Sequence, residues 1–167
     1  LGLAVDAGVR IVVNAGGLNP AGLAARLRET ADRLGVAATV AHVEGDDLLP
    51  RAAELGLEGP GGAAPLAANA YLGAWGIVEA LGSGADVVVT GRVTDASVIV
   101  GPAAHHFGWG RTDLDALAGA VAAGHVIECG TQATGGNFAG FTDLIAGGVD
   151  MTRPGFPIAE VFADGSS

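Results

Sequence analysis

The sequence contains no lysine. Its eight basic residues are all arginines set against eighteen acids, a formal net charge of −10 over 167 residues. Such a surface repels a phosphate backbone, so no nucleic-acid partner is expected. Without lysine there is no Schiff-base nucleophile and no P-loop lysine. The one cysteine, Cys129, has no internal disulfide partner, which fits a reducing compartment. The opening residues lack the charged and apolar regions of a secretory signal, and none is expected. Long apolar runs are missing too. The most apolar stretch, Ala63 to Leu81, is broken by Pro65, Asn69, Gly73, Gly76 and Glu79, and reads as a buried helix of a soluble protein without a membrane partner.

What is present is apolar bulk, half of all residues, enough for one sizeable core. A local grammar recurs three times: a glycine, an apolar strand, then a polar glycine-bearing loop. The strands are Val9-Arg10-Ile11-Val12-Val13-Asn14, Val36 to Glu44, and Ala85-Asp86-Val87-Val88-Val89-Thr90. Strands alternating with helices predict an α/β class fold, a parallel, Rossmann-like sheet with flanking helices. Leu1 to Gly8 reads as the last turns of a helix, and Ala163 to Ser167 as a hairpin turn without its second strand. Residues 1–167 are therefore expected to form a single partial α/β domain, incomplete at both ends.

In a parallel sheet all carboxyl ends point one way, and ligands bind outside them. Three loops are predicted there. The first, Asn14-Ala15-Gly16-Gly17-Leu18-Asn19-Pro20, joins a flexible glycine pair to a helix start with Asn19 as N-cap and Pro20 at the first helical position. Its backbone amides suit a phosphate or carboxylate, although the spacing matches neither the dinucleotide fingerprint nor the P-loop, and a purely structural loop is the alternative. The following helix presents Leu23, Leu27, Ala31 and Leu34 as its apolar stripe. The second loop, Glu44-Gly45-Asp46-Asp47, offers three carboxylates that either bind a divalent cation or substrate hydroxyls, or simply start a helix. The third, Thr90-Gly91-Arg92-Val93-Thr94-Asp95, carries an arginine and a carboxylate, with Thr94 at the helix start. Arg92 either holds an anion or pairs with a neighbouring acid.

Further along, Leu48–Leu57 is a predicted short helix, and Glu58–Pro65 a glycine- and proline-rich linker or lid hinge. Asn69 is expected to cap a helix containing Tyr71, Leu72, Trp75, Ile77, Val78 and Leu81, buried or facing a partner. The next helix is expected to stop at Gly101-Pro102. His105 and His106 point about 100° apart on a helix, which disfavours one shared metal. Asp113 begins a helix with a predicted core stripe of Leu114, Leu117, Val121, His125 and Glu128. The last two are either an acid/base pair or a hydrogen-bonded pair without chemical duty. Cys129 is either a nucleophile activated by His125 or a small buried hydrophobe. Gly130–Phe138, including Asn137, suits a loop over a site, and Pro157–Phe162 a strand.

Taken together, the Asn14–Pro20 loop, Glu44–Asp47, Asn69–Gly73, Thr90–Asp95, His105–Trp109, Gly124–Gly130, Thr134–Phe138 and Pro157–Glu160 resemble the acyclic terpene utilisation (AtuA) family over almost the whole chain. The resemblance implies a bacterial cytoplasmic protein, encoded among genes that degrade citronellol and geraniol through coenzyme A thioesters, with part of the family domain lying outside this sequence. It assigns no residue a role. Given the pathway that the resemblance implies, the expected activity is that of an enzyme performing hydration or carbon–carbon bond chemistry on a branched-chain acyl-CoA substrate, with no cofactor assigned beyond the thioester. Candidate catalytic groups are Asp46, Asp95, His125 and Glu128. Candidate ligand-binding residues are Asn14, Gly16, Gly17, Asn19, Thr90, Arg92 and Asn137, and no metal ligand is assigned. The rival readings are a scaffold accompanying an acyl-CoA carboxylase or lyase, with homo-oligomers also possible, and a metal-dependent hydrolase built on Glu44, Asp46 and Asp47.

Overall fold

A computed structural model describes all residues 1–167. Three strands, β1 (Ile11–Val13), β2 (Val40–Val43) and β3 (Val87–Thr90), form a parallel sheet in the order β1-β3-β2. Val12 lies opposite Val88 and Ala41 opposite Val88 from the other side, which makes β3 the central strand. All four β3 residues are buried, as a run of β-branched residues flanked on both edges and covered on both faces requires. The expected α/β architecture is therefore present, with strands shorter at their amino ends than the apolar runs.

Because side chains alternate across a strand, β3 serves two cores. Val87 and Val89 pack with Val40 and with Ala24, Leu23 and Leu27 of α2 (Pro20–Leu34). Val88 faces the other way, onto Ile77 and Leu81 of α3 (Trp75–Gly82) and Val98 of α4 (Ser97–Phe107). A third layer follows, in which Val100, Ala103 and Ala104 of α4 meet Ala116 and Ala120 of α5 (Leu114–Cys129) around Trp109. Short helices α1 (Gly2–Asp6) and α6 (Phe141–Ala146) complete the set.

Several expectations are corrected. Leu34 lies exposed at the end of α2, the buried positions being Pro20, Ala24 and Ala31. The predicted Leu48–Leu57 helix is a single 3-10 turn at Leu49–Arg51. Helix α4 does not stop at Gly101-Pro102. A Cβ at Gly101 would sit 2.6 Å from Ile77 Cγ2, so the glycine lets α3 and α4 approach closely, and that packing carries the helix past the donor missing at Pro102. On α5 most of the predicted stripe faces outward, Leu117 alone packing against the core. Leu114 and Val121 are exposed, as are His125 and Glu128, while Ala116, Ala120, Ala123 and Gly124 face the core. Small residues win that face because the helices lie close: a Cβ on Gly124 would fall 2.8 Å from Ala96 Cα. Pro157–Phe162 pairs with no strand. That segment instead lies beside α4, Ala159 and Val161 sharing a cavity lining with Val98, Ile99, Pro102 and Ala103, and the chain just after it is anchored where Trp109 Nε1 donates to the Ala163 carbonyl at 2.9 Å.

Candidate functional site at the carboxyl edge

The loops leaving the three strands are tied to one another. Gly16 N donates to the Thr90 carbonyl at 3.0 Å, which draws the first loop over the end of β3. A Cβ at Gly16 would meet that same carbonyl oxygen at 2.5 Å, so the first glycine of the pair is required by close backbone approach. Gly17, at φ 56°, supplies the left-handed turn that follows. Asn19 then caps α2 as expected, its Oδ1 accepting from Gly22 N at 2.8 Å.

Asp46 is the knot of the edge. Only 3 % exposed, its carboxylate Oδ2 accepts from Arg92 N at 2.9 Å and from Asn69 Nδ2 at 3.0 Å. Its backbone carbonyl accepts from Ala70 N at 2.8 Å. A buried carboxylate must be hydrogen-bonded to be tolerated, and here its partners come from two other loops. Asn69 accordingly does not cap a helix. Residues 69–72 run extended, bridging Asp47 antiparallel and Val93 parallel, and α3 begins only at Trp75.

That strap delivers Tyr71 to Arg92. The guanidinium lies 5.0 Å from the Tyr71 ring centroid and donates to its hydroxyl at 2.5 Å. Both side chains are exposed, and Arg92 forms no ion pair. A planar cation stacked on an aromatic ring keeps its remaining donors free for a carboxylate or phosphate. Asp95, on the same loop, is exposed.

The other two strand-end carboxylates do not gather with Asp46. Glu44 lies 3.4 Å from His42 Nε2, and Asp47 Oδ1 accepts from Leu49 N at 2.9 Å. These three carboxylates do not already have their ligand atoms drawn together as a group that could hold one metal ion. Together with Leu18, Asn19, Pro20 and Ala21 they line a cavity of about 390 Å³. Asn14 stands exposed at the end of β1. Thr90 is 0 % exposed, and its hydroxyl donates to the Gly91 carbonyl at 3.1 Å.

His125 and Glu128 are exposed on α5 rather than core-facing, so the expected buried acid/base pair does not form. Cys129 Sγ lies 3.6 Å from Glu128 Oε2 and donates to it. Desolvation and the Glu128 negative charge push the thiol pKa up, the opposite of what a nucleophile needs. With Gln132, Asn137 and Phe138, His125 and Cys129 line a separate cavity of about 570 Å³. Asn137 thus belongs with α5, in a lining that contains no residue of the carboxyl-edge loops.

The family model of the acyclic terpene utilisation family protein AtuA matches residues 1–167, the whole chain. The chain belongs to the AtuA family. No curated protein and no solved structure matches it. Within this AtuA chain, Asn69 and Tyr71 are the residues that sequence reasoning misplaced, because apolar neighbours suggested one long helix. A larger cavity, about 650 Å³, opens at the amino end of the sheet among Arg10, Leu81, Pro102, His105 and His106. There Arg10 Nη1 lies 2.8 Å from His105 Nε2, and the His106 ring meets Phe107 edge-on, at the edge opposite the strand-end loops. No helix is long and apolar enough to cross a membrane.

Proposed function

We propose that this AtuA-family chain is an enzyme of acyclic terpene breakdown that acts on a branched-chain acyl-CoA thioester in the cytoplasm, by hydration or carbon–carbon bond chemistry. The observation that carries the reading is the Arg92 guanidinium, stacked on Tyr71 and free of any carboxylate at a sheet's carboxyl edge. Arginine in that state binds planar or phosphate anions bidentately, and coenzyme A thioesters carry phosphates and, in carboxylated forms, a carboxylate. Asp95, three residues on and exposed, is the proton-moving group of this arrangement. Asp46 acts instead as a positioning residue, since its carboxylate holds the Arg92 backbone.

The scaffold reading has less support, because Ile77 and Leu81 of α3 are buried against the chain's own sheet and α4. Calorimetry with a branched acyl-CoA tests the enzyme reading. Arg92→Ala is expected to abolish thioester binding without changing the circular dichroism spectrum. Unchanged affinity in that variant would overturn the site.

A further inference from the structure

The last turn of α5 poses a problem of charge. Unpaired carbonyls give a helix C-terminus a partial negative charge, which cations near it relieve. This 16-residue helix has no basic residue in its last turn and carries Glu128 there instead. None of the chain's ion pairs involves Glu128. Its recorded hydrogen-bond partner is the neighbouring thiol of Cys129. An acid and a thiol at the negative end of a helix, in a chain of net charge −10, are a combination that a bound cation would stabilise.

The third member supplies the geometry. His125, Glu128 and Cys129 stand at positions i, i+3 and i+4, which share one helix face. One ligand atom from each lies within 4.8 Å of the others, and this is the one such grouping of three in the chain. Imidazole nitrogen, carboxylate oxygen and thiolate sulfur form a mixed donor set that suits zinc. Around tetrahedral zinc, bonds of about 2.0–2.3 Å place neighbouring donors roughly 3.3–3.8 Å apart. Closing the remaining gap of at most about 1–1.5 Å takes only rotamer adjustment of side chains at the surface.

We propose that His125, Glu128 and Cys129 form a zinc site with three protein ligands and one open position. His125 and Cys129 also wall the cavity of about 570 Å³ that Gln132, Asn137 and Phe138 complete, so the metal borders that space. The open position takes water or an oxygen ligand, a carbonyl or carboxylate, with amide side chains beside it. Binding forms a zinc–sulfur bond, breaks the Cys129 S–H bond and releases that proton to solvent, while neutral His125 and ionised Glu128 contribute lone pairs. The two anionic ligands then cancel the charge of the dication. The inference is independent of the carboxyl-edge site.

Titrating the metal-stripped protein with cobalt, a spectroscopic stand-in for zinc, tests it. One equivalent should bind with a thiolate-to-cobalt charge-transfer band in the near ultraviolet, and zinc should bleach that band by displacement. Cys129→Ser should remove the band. His125→Ala and Glu128→Gln should each weaken zinc binding about tenfold or more, at least the loss that removing an outer-shell partner causes. Zinc should also protect Cys129 of the unmodified chain from alkylation, a readout that needs no variant. Absence of the charge-transfer band, an unprotected Cys129 at saturating zinc, or unchanged affinity in either the His125 or the Glu128 variant would each overturn the site.

Discussion

The carboxylate of Asp46 occupies the space that a side chain at Gly91 would need. A Cβ at Gly91 would lie 2.5 Å from Asp46 Oδ1 and 2.7 Å from Oδ2. Gly91→Ala must therefore displace a buried carboxylate from Arg92 N and Asn69 Nδ2. Hydrogen bonds to charged groups contribute about 1.5–3 kcal/mol each, so losing both is expected to cost about 3–6 kcal/mol. Urea unfolding should show a lower midpoint at unchanged slope. Stability within about 0.5 kcal/mol of the parent, the usual range for a neutral surface change, would refute the clash.

The same pair gives a double-mutant cycle. Asp46→Ala removes the obstacle together with both hydrogen bonds, so adding Gly91→Ala to it should cost little more. The two effects are expected to be strongly non-additive, as groups in direct contact are. Full additivity would mean that Gly91 is constrained by something other than Asp46.

The sheet and its order of loops were legible in the sequence because a buried central strand needs an unbroken β-branched run, and Val87-Val88-Val89 is one. The Asn19-Pro20 helix start was legible for a similar reason, since a cap is local chemistry. Burial on α5 was not. Its apolar residues Leu114 and Val121 look inward on hydrophobicity alone, yet close approach to α4 selects alanine and glycine, and the proximity of two helices leaves no local signature. The strap at 69–72 was hidden similarly, because its pairing with Asp47 and Val93 joins distant segments. Within the candidate site, Arg92 and Asp46 were found as residue types at a strand end. Their division into an exposed cation and a buried clamp depends on partners that only the tertiary structure names.

Packing between α3 and α4 makes a second stability prediction. Gly101→Ala would bring a methyl group to 2.6 Å from Ile77 Cγ2 and 2.7 Å from Ile77 Cβ. Ile77 is wholly buried and cannot swing away. Overpacking of this kind costs about 1–3 kcal/mol, measurable as a fall in thermal midpoint. An unchanged midpoint would show that the helices separate freely at this crossing.

Cys129 carries a pH prediction for the metal-free protein. Desolvation first, then the Glu128 charge and hydrogen bond, raise the thiol pKa above its ordinary value. The folded state thus holds its proton where an unfolded thiol has begun to ionise. Any stability from this is complete below the unfolded thiol pKa and is lost as pH rises through the higher folded value. Alkylation, which needs the thiolate, should be slower at neutral pH than in the denatured chain, with its midpoint shifted to more alkaline pH. Glu128→Gln removes the charge and should move that midpoint back down. A midpoint unaffected by this change would leave desolvation as the sole cause.

Arginine and lysine carry the same charge but differ in shape, and Arg92 tests which property matters. Its guanidinium both stacks on Tyr71 and donates to the Tyr71 hydroxyl, a fixed orientation that an ammonium cannot reproduce. Arg92→Lys should leave stability within about 0.5 kcal/mol of the parent, as expected for an exposed position. Acyl-CoA affinity should nevertheless fall roughly tenfold or more, the equivalent of one lost charge-assisted bond. Tyr71→Phe keeps the ring and removes only the hydroxyl, so its loss should be smaller and additional orienting contacts should remain. Equal binding by arginine and lysine in isothermal calorimetry would mean that the edge senses charge alone, and the stacked geometry would then have no part in recognising the thioester.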